Sequence, residues 1–364
     1  MREDGKRDDG RRDNFMTRTL RMVAPGTPIR EGVDNVLRAN TGGLIIVGHD
    51  ALVHSLLDGG FAIDCELTPA GLYELAKMDG AIILSEDLKR ILYANAQVNP
   101  DPTISSNETG TRHRTAERVA KQTGRLVICV SQRRNVITLY QGNIRYLLKD
   151  LSVIITKANQ AVQTLERYKS VLDATLTNLS ALEMEEMVTL ADVAGVLQRF
   201  EMVLRIKSEI KRYITELGTE GRLVSMQMDE LVSKIDEEAY LLVKDYSASG
   251  YELTPHQILT QIHGLDSEEL LSGQVIARAL GYVEAANLAE TVIASRGYRL
   301  LHKIPRLPQP VIDNLTGEFA TLGRIVSASV EELDDVEGIG AVRARTIKEG
   351  LKRMQELALL ERNL

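Results

Sequence analysis

The feature that most restricts the fold of this chain is a change of hydrophobic period near Asp150. Before it, short β-branched runs alternate with amphipathic stretches, the pattern of strands and helices stacked in layers. After it the strand signals stop. Val162, Leu165, Tyr168, Leu172, Leu176 and Leu179 step by three or four, as do Val196, Phe200, Val203, Ile206, Ile210, Tyr213 and Leu217, and then Val224, Met228, Leu231, Ile235 and Leu242. Apolar side chains at that spacing share one helix face, so this stretch predicts long helices in a bundle or spine. At 364 residues the chain exceeds what one core ordinarily supports. The sequence therefore reads as multidomain, α/β followed by all-α. It comprises a charged tail over 1–16, an α/β domain with a central mixed sheet over 17–150, a helical spine over 151–291, and short helices with tight turns over 292–364.

Arg2, Lys6, Arg7, Arg11 and Arg12 balance Glu3, Asp4, Asp8, Asp9 and Asp13 in the tail, with almost nothing apolar between them. Such a segment buries too little surface to order itself and lacks the hydrophobic stretch of a signal peptide, so a disordered tail is expected. No run approaches the ~20 apolar residues of a membrane span, which predicts a soluble, cytoplasmic protein without membrane contact. The formal charge of −7 excludes a chain that is basic overall, so any nucleic-acid contact must come from a local patch. The two cysteines, Cys65 and Cys129, sit in apolar runs with no CxxC spacing. They read as buried thiols, with neither a disulfide framework nor a zinc site.

Within the α/β part the spacing predicts helices over 28–37, 68–78 and 111–122, and strands over 43–47, 61–67, 81–84, 126–131 and 136–140. Asp79-Gly80-Ala81 falls where the second helix gives way to a strand, in a loop able to present a carboxylate to a divalent metal. Gly110-Thr111-Arg112-His113-Arg114 falls at a helix start. There the orphan N–H groups and the positive end of the dipole favour an anion. Cations at a helix N-terminus oppose that dipole, so Arg112 and Arg114 need an anion to justify them, and two guanidinium groups with an imidazole and a hydroxyl suit a polyphosphate. Other chemistries fail on spacing: there is no GxxxxGK[ST], and His49, His54, His256, His263 and His302 show no metal-ligand pattern.

Near the C-terminus, Leu333, Val336 and Ile339 frame Gly338-Ile339-Gly340, which opens a helix carrying Arg343, Arg345, Lys348, Lys352 and Arg353. A Gly-x-Gly turn lets backbone N–H groups approach a phosphate with no side chain in the way, which grips a DNA backbone without reading its bases. Ile304-Pro305-Arg306-Leu307-Pro308 occupies the corresponding place before an earlier helix, without the glycines. Its two prolines remove N–H donors and leave Lys303 and Arg306 as charge contacts. Two tandem helix-hairpin-helix units are expected. With no Trp and four Phe, base stacking is a minor route to DNA.

Asp79-Gly80-Ala81, the cluster over 110–114, Ser131-Gln132-Arg133-Arg134-Asn135 before a strand, the helical spine and the C-terminal hairpins together resemble the diadenylate cyclase family of DNA integrity scanning proteins. The resemblance covers the chain after the tail. It implies condensation of two ATP into cyclic di-AMP with release of pyrophosphate, dependent on Mg2+ or Mn2+. It implies a homo-octamer in which cyclase domains meet face to face and hairpin domains point towards branched DNA such as Holliday junctions. By that resemblance Asp79 binds the metal and helps orient or deprotonate the attacking hydroxyl, with Gly80 allowing close approach of the ribose. Arg112, His113 and Arg114 hold the terminal phosphates, Thr111 and Ser131 donate hydroxyl hydrogen bonds, Ala81 is a further ATP contact, and adenine lies near Asn95 to Val98. Gly338, Ile339, Gly340, Arg343, Arg345, Lys303 and Arg306 are the expected DNA contacts. The residues leave a second reading open, a branched-DNA-binding scaffold that senses ATP without cyclase activity.

Overall fold

The computed structural model describes residues 17–361; the tail expected to be disordered, 1–16, lies outside them. Contacts divide the chain into two units, one holding the chain as far as Asn159 together with Lys211–Ser225, the other Gln160–Ile210 and the remainder from Met226 on. The segment 211–225 joins the first unit, where the Thr219 N–H donates to the Pro25 carbonyl at 3.3 Å.

The first unit is built on an eight-stranded sheet of β1 (Gly43–Val47), β2 (Leu57–Asp58), β3 (Phe61–Glu66), β4 (Ala81–Leu84), β5 (Arg90–Val98), β6 (Leu126–Ser131), β7 (Val136–Gln141) and β8 (Ile144–Leu147). The order is β2-β5-β4-β1-β6-β7-β8, with β3 also paired to β5. β1 and β4 run parallel and the other pairs antiparallel, so the sheet is mixed.

Successive side chains of a strand point to opposite faces, and in β1 both faces are covered. Ile45 and Val47 pack with Val33, Val36 and Leu72 from helices Pro28–Arg38 and Pro69–Leu75. Leu44 and Ile46 pack with Val53, Ala116, Val119 and Ala120 from helices Ala51–Leu56 and Thr111–Thr123. Each such burial contributes about 1.5–3 kcal/mol, which is why an unbroken GLIIV run becomes a central strand. Thr27 and Thr68 each cap a helix whose first turn carries a proline. The helix expected through 78 ends at Leu75, because the N–H groups of Lys77 and Met78 turn back to the carbonyls of Glu74 and Leu75. Cys129 is buried as expected, whereas Cys65 is half-buried.

The first two apolar series are helices Leu151–Met184 and Leu190–Leu217, and the third breaks into Arg222–Val232 and Ile235–Tyr246. Arg299 is buried against Glu183, and Asp245 accepts from the backbone N–H groups of Tyr298 and Arg299 at 2.6 and 2.9 Å, capping the start of helix Tyr298–His302. Helices Tyr298–His302, Gln309–Phe319, Leu322–Ser327, Val330–Asp334 and Ala341–Glu361 close over a core that includes Leu301, Ile312, Leu315, Ile325, Leu333 and Ile347. Among the described residues no helix is long and apolar enough to cross a membrane.

Candidate functional site

A cleft of about 1110 Å3 opens in the first unit. Asp79, Gly80, Ala81, Val98, Thr111, Arg112, His113 and Ser131 all line it, so the two sequence clusters meet in one place. Arg114 is not among the lining residues; its Nε donates to the Glu108 carbonyl at 3.4 Å. Asn95, expected near adenine, lines the cleft too, and Asp58 and Thr109 line it without having been singled out in the sequence.

The loop that carries Asp79 owes its shape to Gly80. With φ at +91° this residue is in the left-handed region, and a Cβ on it would stand 2.9 Å from the Ala96 oxygen and the Asn95 carbonyl carbon. Asn95 itself has φ at +54°, and the β4–β5 register shifts beside it, so β5 bulges where the loop passes. Gly60, at φ +91°, closes on the same bulge from the neighbouring edge, 2.8 Å from the Ala96 Cα if it carried a Cβ. The Asp79 side chain is exposed at the cleft and makes no ion pair or hydrogen bond among the described residues.

Helix Thr111–Thr123 begins with Gly110 and has no side-chain cap, so among the described residues nothing claims its first N–H groups, and Thr111, Arg112 and His113 line the cleft. A Cβ on Gly110 would meet only the His113 ring, at 3.9 Å; glycine is not forced here by packing, and its effect is to leave that helix end uncapped. The Arg112 guanidinium lies against the backbone of Gly42, where a Cβ would come within 1.9 Å of Nη1. Ser131 accepts from the Arg134 N–H at 3.2 Å, which leaves its own hydroxyl hydrogen for another partner.

Beneath this helix start is a hydrogen-bonded chain. His113 Nδ1 is 2.9 Å from the Tyr140 hydroxyl, which donates to Glu108 Oε1 at 2.8 Å, and Arg145 Nε donates to the same oxygen at 2.7 Å. Arg134 stands 3.6 Å from Glu108 Oε2 and donates to Thr109 Oγ1 at 3.1 Å. Burial opposes ionisation of Glu108, but the Arg145 and Tyr140 hydrogen bonds outweigh it and hold the carboxyl below the usual carboxylate range. Burial lowers the His113 pKa; the Glu108 charge opposes that, and Arg134, Arg145 and Arg112 reinforce it. Burial also pushes the Tyr140 phenol up.

Among the described residues no three His, Cys, Asp or Glu side chains cluster as a metal site. A Mg2+ ion bound with nucleotide takes one or two carboxylates and completes its shell with phosphate oxygens and water, and the free Asp79 carboxylate at the cleft, with Asp58 also lining it, suits that arrangement. Asp79 fits the metal that the resemblance implies.

In the second unit Gly338 has φ at +84° and Arg306, at the matching place in the earlier turn, has φ at +63°. Gly340 is in an ordinary conformation, and Ile339 packs into the core at 8% exposure. Arg343 donates to the Gly338 carbonyl at 2.6 Å, bracing the turn, whereas Arg345, Arg306 and Lys303 are exposed.

Comparisons with known proteins agree with this layout. A family profile described as DisA bacterial checkpoint controller nucleotide-binding matches residues 30–144, and one described as DisA bacterial checkpoint controller linker region matches residues 148–289. The chain is 60% identical over 345 residues to the DNA integrity scanning protein DisA of Carboxydothermus hydrogenoformans, covering 95% of this chain and 98% of that one. It is 58% identical over 345 residues to the protein of the same description from Bacillus subtilis, covering 95% of each. A crystal structure of DacA from Staphylococcus aureus aligns at a TM-score of 0.29 and 20% identity, over 36% of this chain and 88% of that one, a likeness too loose to build on.

Proposed function

The chain belongs to the DisA family, and from its cleft we propose that it is a diadenylate cyclase, a nucleotidyltransferase that condenses two ATP into cyclic di-AMP and two pyrophosphates. The observation that carries this reading is the meeting of a free carboxylate, Asp79, with the uncapped helix start at Gly110 in one cleft. Each 3′-hydroxyl must attack the α-phosphate of the other ATP in line with the departing pyrophosphate, so the two nucleotides must be held head to tail. A product with two-fold symmetry is made most simply across a two-fold protein interface, each protomer holding one ATP. Face-to-face pairing of nucleotide-binding domains within an octamer is the assembly we propose.

In this reading the N–H groups of Thr111 and Arg112 and the Arg112 guanidinium bind the terminal phosphates and stabilise the charge that develops on pyrophosphate. Asp79 holds a Mg2+ or Mn2+ ion and accepts the hydrogen bond of the attacking hydroxyl. When bound, the ion neutralises phosphate charge and polarises the oxygens it touches. Gly80, free of a side chain, leaves room for the ribose, and Ala81 and Val98 border the base. Thr111 and Ser131 donate from their hydroxyls.

The C-terminal turns supply the DNA side of the proposal. Gly338 and Gly340 present backbone N–H groups, and Arg345, Arg306 and Lys303 add exposed charge, a set that fits the backbone of branched DNA such as a Holliday junction. Occupation of these turns regulates the cyclase. The alternative, a DNA-bound scaffold that only senses ATP, gives no reason for a free Asp79 in the cleft. Incubation with ATP and Mn2+ followed by separation of products tests the choice. The cyclase yields cyclic di-AMP and pyrophosphate; ADP, or unchanged ATP, would remove it.

A further inference from the structure

The hydrogen bonds around His113 leave no donor for a triphosphate. Glu108 is ionised against Arg145 and can only accept, and Tyr140 commits its single hydroxyl hydrogen to it at 2.8 Å. The Tyr140 oxygen must therefore accept from His113, which puts the ring hydrogen on Nδ1 across the 2.9 Å contact. In a neutral imidazole Nε2 is then a bare lone pair. That nitrogen is buried with no partner among the described residues, on a ring that is 7% exposed and lines the cleft. A lone pair repels a phosphate oxygen, whereas a hydrogen in the same place binds it.

We infer that His113 takes up a proton from solvent when a triphosphate enters the cleft, becoming an imidazolium whose Nε2–H donates to a phosphate oxygen while Nδ1–H stays on Tyr140. This rests on the cleft being the ATP site. Glu108 and Tyr140 are positioning residues that make the proton obligatory, since a ring free to change tautomer donates from Nε2 while neutral. The reverse arrangement, with Tyr140 donating to Nδ1, would set the phenol oxygen against the Glu108 carboxylate at 2.8 Å with no hydrogen between them. One N–H bond forms, the proton comes from buffer, and the site gains one positive charge.

The charged surroundings allow this to be a switch rather than a fixed state. The ring is faced by Glu108 from the loop before its helix, Arg112 on the same helix, Arg134 from the β6–β7 turn and Arg145 on β8. Tyr140 on β7 is neutral, and so is Cys129 on β6, whose thiol burial pushes up to about 12. Without a bound anion, burial and three guanidinium groups outweigh one carboxylate and keep the ring neutral. A triphosphate adds several negative charges beside it, and an opposite charge within ~4–6 Å favours the charged form of a basic group.

Calorimetric titration of the full-length protein with 3′-deoxyATP and saturating Mg2+ near neutral pH, in buffers of different ionisation enthalpy, reads the proton directly. The analogue lacks the attacking hydroxyl, so its heat reports binding alone. The expected result is net uptake approaching one proton per bound nucleotide in the wild type, with affinity falling as pH rises, by at most tenfold per pH unit. His113→Asn loses the uptake. Tyr140→Phe also loses it yet still binds, because the freed ring donates as a neutral tautomer, an outcome that loss of structure alone would not produce. Wild-type binding with no proton uptake overturns the inference, even where a variant fails to fold, and so does unchanged uptake in Tyr140→Phe. A wild-type protein that does not bind 3′-deoxyATP overturns the ATP site instead.

Discussion

The nucleotide cleft and the C-terminal turns are both proposed to hold phosphate, and they are built in opposite ways. In the cleft an exposed helix start rests on buried polar groups: Glu108, Tyr140 and His113 are each less than a tenth exposed and hydrogen-bonded in series. At the C-terminal turns the layer beneath is apolar, with Val311, Val336 and Ile339 in the core, and the charged groups are exposed at the surface. The difference matches the two proposed tasks. A phosphoryl transfer needs donors fixed in direction and charge, which buried hydrogen bonds supply. A grip on a DNA backbone needs only a turn of the right shape and nearby cations.

Variants can break this contrast, and the largest effect is expected at Asp79. Asp79→Asn should lower cyclic di-AMP formation by about 10²–10⁴-fold while 3′-deoxyATP still binds; rate assays and calorimetry on one preparation check both. Turnover near wild type would show that the cleft needs no carboxylate and works as the turns do, by grip alone. Gly338→Val comes next. It forces a β-branched residue to φ +84°, at a cost of about 1–3 kcal/mol, and brings a side chain against Val311, whose Cγ2 stands 3.3 Å from a Cβ there. Affinity for a fluorescent four-way junction should fall about tenfold, with the thermal midpoint recording the strain. Unchanged junction binding would mean that turn geometry is not the grip.

Gly42→Ala should act more mildly and only in the cleft. Its methyl would displace the Arg112 guanidinium, whose flexible end can move without unfolding the sheet. A weakened rather than lost hydrogen bond, about 0.5–1 kcal/mol, should appear as a raised KM for ATP. The smallest effect is expected for Arg306→Gly. Relief of the left-handed strain nearly cancels the added chain entropy, so stability should change by less than about 1 kcal/mol. The salt dependence of junction binding should fall by about one charge, separating what charge does in the first turn from what shape does in the second. A salt slope identical to wild type would take Arg306 off the DNA.

Much of this contrast was legible in the sequence. Asp79-Gly80 and Gly110 to His113 were recognisable from local chemistry, and the sheet places them in one cleft. The helical series were legible because an apolar stripe has a period. Arg114 shows where residue type outran geometry: residues two apart on a helix point about 200° apart, so Arg112 and Arg114 do not share a cleft. The Asn95 bulge and the approach of Gly60 escaped because they arise from pairing across the sheet, which no local window contains. Glu108, Tyr140 and Arg145 come from a loop and two strands, and each alone looks like an ordinary polar, aromatic or basic position. Only the fold makes them a chain.

Two protomers are proposed to complete one reaction, and cyclic di-AMP turnover per protomer across a dilution series, with mass photometry on the same samples, decides the matter. Turnover should follow the assembled fraction and vanish with it, with two pyrophosphates released per dinucleotide throughout. Monomers that keep forming cyclic di-AMP at the undiluted rate would contradict it.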